Sequence, residues 1–69
     1  MSRLNLLGEN IKKFRTQKGW SQQVLADHVI LSREHILQVE KGKEYLSLRK
    51  VFLIADALGV KVSDLFDFD

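Results

Sequence analysis

Apolar side chains recur along this chain at helical spacings, in blocks punctuated by serine and glycine. Leu7, Ile11 and Phe14 follow one another at intervals of four and three, which lines one face of an α-helix from about Asn5 to Lys18. Lys12, Lys13 and Arg15 fall largely off that stripe, and Gly19 stands where a left-handed C-terminal cap is wanted. Ser21 opens a second block, "SQQVLADHV", with Leu25 and Ala26 facing in. Ser32 opens a third, "SREHILQVEKG", in which Ile36 and Val39 form the inner pair and Gly42 ends the helix. Ser47 opens a fourth, "SLRKVFLIADALG", with Leu48, Val51, Ile54, Ala55 and Leu58 inside and Gly59 after. Ser63 opens a last short turn, "SDLFDFD". A serine hydroxyl at each start accepts from N–H groups that have no partner within the helix. No segment reads as a strand. The pattern predicts an all-α fold of five helices closing one compact core.

Length keeps this to a single domain over residues 1–69, with no proline, low-complexity tract or internal repeat to mark a linker. A core of this size is marginal alone, and chains below about 70–80 residues often lean on a partner. The absence of cysteine removes disulfides and thiolate metal sites, and fits a reducing cytoplasm. His28 and His35 have no obvious co-ligands, so no metal, cofactor or small-molecule ligand is expected. No apolar run approaches the roughly 20 residues of a membrane span, and "MSRLNLLGEN" has no signal-peptide pattern. A cytoplasmic protein without a membrane partner is expected.

Charge is lopsided although the net value is only +2. Residues 1–21 carry five basic side chains against one acidic, whereas residues 44–69 carry three against five. The basic front is either a face for a polyanion or ordinary solvated surface. No nucleophile–base pair, paired carboxylate or phosphate loop stands at usable spacing, and the serines are accounted for as caps, so an enzyme is not expected.

The link between the second and third helices is about three residues. Two short helices so joined form a helix-turn-helix, here over about residues 21–41. In that geometry the second helix of the pair enters the DNA major groove. With Ile36 and Val39 buried, Arg33, Glu34, Leu37 and Gln38 are left facing out.

The stretch "SQQVLADHVILSREHILQVEKGK" followed by "SLRKVFLIADALGVKVSDLF" resembles the lambda-repressor/Cro-type (XRE) helix-turn-helix regulators of prokaryotes and phages. Arg15, Gly19, Trp20, Ser21, Gln22, Leu25, Ala26, Leu31, Ser32, Ile36, Glu40, Gly42, Ser47, Leu48, Ala55, Ala57, Leu58, Gly59 and Val60 stand at the family's pattern positions. The match runs from about Leu7 to Phe66. It implies a lambda-repressor-like domain that binds double-stranded DNA as a homodimer on a palindromic operator.

The resemblance also implies roles. Arg33, Glu34 and Gln38 would meet base edges, and Leu37 a thymine methyl. Gln22, Ser32, His35, Lys41 and Lys43 would meet backbone phosphates. Glu34 either accepts from cytosine or only stabilises the helix N-terminus, and His35 is either a phosphate contact or a plain surface histidine. Arg15 and Glu40 match a buried ion pair with a structural role. Trp20 is expected to staple the end of the first helix.

Three departures stand out. The family usually has glycine where Ile30 stands, because the turn tends to be left-handed there; that backbone costs a non-glycine residue roughly 1–2 kcal/mol. A slightly rebuilt turn with Ile30 partly exposed is therefore expected. Many relatives have proline where Leu46 stands, while small controller proteins of restriction–modification systems tend to be apolar there. Leu46 beside Tyr45 is either a dimer contact or a cap on the core. In the tail, Phe66 matches a core position and Phe68 has no assigned partner; Tyr45, Leu46, Phe66 and Phe68 are the candidate dimer residues. The alternative function is an antitoxin-like or protein-interaction module, kept open by the apolar Leu37 on the reading face.

Overall fold

The computed structural model describes residues 3–68. Five helices follow in order, α1 (Arg3–Gln17), α2 (Gln22–Val29), α3 (Arg33–Glu40), α4 (Leu48–Leu58) and α5 (Val62–Leu65), and no strand occurs among the described residues. The serine caps form as expected at three starts. Ser21 Oγ accepts from Val24 N at 3.1 Å, Ser32 Oγ from His35 N at 3.0 Å, and Ser47 Oγ from Lys50 N at 3.3 Å. The last helix differs. It opens after Lys61 rather than at Ser63, because Asp64 reaches back and its Oδ2 accepts from Lys61 N at 2.9 Å.

Each helix supplies one completely buried large side chain: Ile11, Leu25, Ile36, Ile54 and Leu65. Around them pack Leu7, Ala26, Val29, Val39, Val51, Ala55 and Leu58. Helix α1 crosses α3 at Gly8, where a Cβ would overlap the carbonyl oxygens of Val39 and Glu40. Two core expectations are corrected. Leu48 is 65% exposed, since it sits on the flank of the α4 stripe, and the packing of α4 is against α1, α2 and α5. Phe66 is exposed and Leu65 takes the core position, because the helix phase fixed at Lys61 turns Leu65 inward.

The turn at Ile30 is not rebuilt. Ile30 adopts the left-handed conformation itself, at φ 55° and ψ 48°, with its side chain 89% exposed. Hydrogen bonding explains why. At the ends of α1, α3 and α4 the N–H just past a left-handed glycine returns to a carbonyl five residues back: Trp20 to Arg15, Lys43 to Gln38 and Val60 to Ala55. Leu31 N donates to Ala26 O at 3.0 Å in the same way. This closure requires positive φ at residue 30, and it delivers Leu31 to the inner side of the turn. The Ile30 and Leu31 N–H groups both donate to Ala26 O, and these bonds with the packing of Val29 and Leu31 offset the strain.

Candidate nucleic-acid interface

The α2–turn–α3 unit is held to the rest of the domain by an ion pair as well as by apolar contact. Arg15 Nε donates to Glu40 Oε2 at 2.7 Å and Arg15 Nη2 to Glu40 Oε1 at 3.0 Å, with both residues buried. The third guanidinium donor, Nη1, caps the Trp20 carbonyl at 2.7 Å. This fork geometry suits a carboxylate. It ties α1 to the C-terminal end of α3, as the resemblance implies. Trp20 closes the corner between α1 and α2: its ring stacks on His28 at 4.3 Å between centroids, and Lys18 Nζ lies 4.9 Å from the indole.

On the opposite side of α3, Arg33 and Glu34 are exposed in the first turn, and Leu37 and Gln38 are half-buried one turn on. Gln38 Nε2 donates to Glu34 Oε1 at 2.8 Å, so these two act as a unit. The bond leaves Glu34 one free acceptor oxygen, and leaves Gln38 its carbonyl oxygen and a second N–H. Among the described residues the Arg33 guanidinium has no hydrogen-bond or ion-pair partner, which leaves it for a base edge. Lys41 and Lys43 are exposed just past the helix.

The phosphate candidates fall into two groups. Ser32 uses its oxygen as a cap acceptor, which keeps the hydroxyl proton available as a donor. Gln22 opens α2, where the first N–H groups have no partner within the helix. Its side chain is half spent, because Nε2 donates to Glu40 Oε1 at 3.1 Å. A carboxylate only accepts, so this contact fixes which way the carboxamide faces, and one N–H of Nε2 remains. His35 is less open: its Nε2 is buried without a hydrogen-bond partner, and that end of the ring reaches a phosphate only after a rotamer change.

The tail and loop residues divide similarly. Tyr45 and Phe66 are exposed. Leu46 packs partly on the core, in keeping with the capping alternative. Phe68 does have a partner within the chain: it packs on the core and meets Phe66 edge-to-face at 6.1 Å, beside Leu6 and Phe14. The sequence reading did not single out the outward face of α4, where Phe52 and Leu53 are exposed. A helical wheel of that segment carries the signal, since Phe52 and Leu53 fall outside the inward set of Val51, Ile54, Ala55 and Leu58.

Among the described residues, no group of three or more His, Asp or Glu side chains could hold a metal ion. No helix is long and apolar enough to cross a membrane.

Comparison with known proteins agrees with this geometry. The helix-turn-helix family profile matches residues 11–65. An HTH-type transcriptional regulator of Archaeoglobus fulgidus is 42% identical over 59 residues, spanning 86% of this chain and 84% of that protein. Control protein C.BamHI of Bacillus amyloliquefaciens is 38% identical over 64 residues, 91% of this chain and 79% of that one. The crystal structure of the restriction–modification controller protein C.AhdI from Aeromonas hydrophila superposes with a TM-score of 0.88 at 35% identity, covering 91% of this chain and 96% of that one. The chain thus belongs to the helix-turn-helix family of XRE type, the lambda-repressor/Cro class of DNA-binding transcriptional regulators.

Proposed function

We propose that the protein is a sequence-specific regulator that binds a palindromic operator as a homodimer, one α3 in the major groove of each half-site. The observation that carries this reading is the division of α3: Ile36, Val39 and Glu40 are buried while Arg33, Glu34 and Gln38 stand outward, with Lys41 and Lys43 exposed behind them. In this reading Arg33 takes a guanine through two hydrogen bonds, and the Glu34–Gln38 unit and Leu37 read the neighbouring bases. Gln22, Ser32, Lys41, Lys43 and, after a rotamer change, His35 lie along the phosphates and set the register. Tyr45 and Phe66 are open to a second copy, while Leu46 and Phe68 pack partly on the core. The similarity to C.BamHI and C.AhdI favours a controller-type role.

Selection from a random duplex pool by the purified protein tests this. The expected result is an enriched palindrome with half-site centres about ten base pairs apart, bound with an affinity that falls steeply with salt. Retention that is only salt-sensitive, with no enriched sequence, overturns it.

A further inference from the structure

Glu34 is the one acidic side chain exposed on α3, with Arg33, Lys41 and Lys43 exposed around it. A carboxylate on that face weakens binding to any polyanion, so it works against affinity unless it selects. At about 3.6 residues per turn, Glu34 and Gln38 lie opposite the buried Ile36 and Val39, at the middle of the outward face. Gln38 Nε2 donates to Glu34 Oε1 at 2.8 Å. Among the described residues neither side chain has a further hydrogen-bond or ion-pair partner. A carboxylate accepts and cannot donate. Glu34 therefore fixes which end of the Gln38 carboxamide faces it, and the two side chains present a fixed order: an acceptor at 34 beside an N–H donor at 38.

We propose that this pair reads one adenine, whose N6 amino group donates to the Glu34 carboxylate and whose N7 accepts the second N–H of Gln38 Nε2. The inference rests on the reading of α3 as the helix in the major groove, and names the base that this part of it selects. The argument is elimination over the major-groove edges of the four bases. Adenine alone carries a donor and an acceptor on that edge. Cytosine offers its N4 amino group to Glu34 but leaves the Gln38 N–H without an acceptor on the same base. Guanine offers N7 to Gln38 but sets O6 against the carboxylate. Thymine sets O4 against it and offers no donor. The expected order is adenine, then cytosine, with guanine and thymine disfavoured. The disfavour comes from charge, since a carboxylate facing a carbonyl oxygen is a repulsive element that a neutral side chain does not supply. Gln38 alone lacks it, because a carboxamide that is free to turn presents its N–H groups to guanine as well.

The test is the affinity of the parent, Glu34→Gln and Gln38→Ala for the selected operator, with each of the four bases placed in turn at every position of one half-site. Circular dichroism confirms that each variant is folded. The parent is expected to bind adenine at one position about tenfold or more better than guanine or thymine. Gln38→Ala lowers adenine to the level of cytosine there and keeps guanine and thymine disfavoured. Glu34→Gln brings guanine and thymine up by about tenfold at the same position and binds random duplex more tightly, since an anionic group has gone. If the bond only steadies the helix, both variants keep the parent's base profile, and that result overturns the inference while the regulator reading stands. A responding position at which the parent selects guanine or thymine overturns it in the same way. So does a Gln38→Ala that admits all four bases equally, since Gln38 then reads alone. A parent with no enriched operator overturns the regulator reading and this inference together.

Discussion

Helices α3 and α4 are built on the same plan, a serine cap at the start and a left-handed glycine past the end, yet they are held in opposite ways. Helix α4 is eleven residues long and buries Val51, Ile54, Ala55 and Leu58. Helix α3 has eight residues and buries only Ile36 and Val39 as apolar side chains, with Glu40 beside them. What α3 lacks in apolar burial is supplied at its ends, by the strained turn at Ile30 and by the Arg15–Glu40–Gln22 network. A helix whose outer side is reserved for another molecule cannot use that side for packing. Anchoring it at both ends leaves the reading face free and still fixes its position. The outer faces then carry different chemistry: polar and basic on α3, apolar at Leu48, Phe52 and Leu53 on α4.

The sharpest way to break this contrast is at the buried ion pair. Arg15→Met leaves Glu40 buried without its partner, and such a change costs about 3–5 kcal/mol. That is comparable with the whole stability of a small domain, so urea unfolding should find the variant at or near the unfolded state. Arg15→Met with Glu40→Leu should recover much of the loss, since no charge is then stranded.

Next in size is Ile30→Gly. Relief of the left-handed strain predicts a gain of roughly 1–2 kcal/mol, less the entropy that glycine loses on folding. Thermal melting should show a rise, and a clear drop would mean that the exposed isoleucine side chain stabilises the fold in a way the structure does not account for.

The smallest effect is expected on the outer face of α4. Leu48→Gln should change the stability of the folded chain by no more than about 0.5 kcal/mol, measured by denaturation at concentrations where the chain is a monomer. A larger loss would return Leu48 to the core.

Much of the fold was legible in the residues. The serine caps and left-handed glycines are local chemistry, and the core stripes of α1 to α3 follow from spacing alone. The Arg15–Glu40 pair came from the family pattern, and the structure places it with fork geometry. Four features were not legible. Leu48 has apolar character and suitable phase, but exposure depends on which elements lie over that flank. Ser63 is a good cap by type, yet Asp64 caps from within the helix, and that shift exchanges Phe66 for Leu65 in the core. Ile30 obeys a hydrogen-bonding requirement of the turn that overrides its own backbone preference. The tie from Gln22 to Glu40 was likewise out of reach, since it depends on how closely α2 approaches the end of α3.

The central claim is that the outer face of α3 reads bases. Its most direct test is the affinity of the parent chain and of Arg33→Ala for the selected operator and for every single-base variant of one half-site. The account predicts that Arg33→Ala loses about 1–3 kcal/mol of discrimination at one position, most simply a guanine, and keeps its preferences elsewhere. An unchanged base profile in Arg33→Ala would contradict the account and move recognition away from α3.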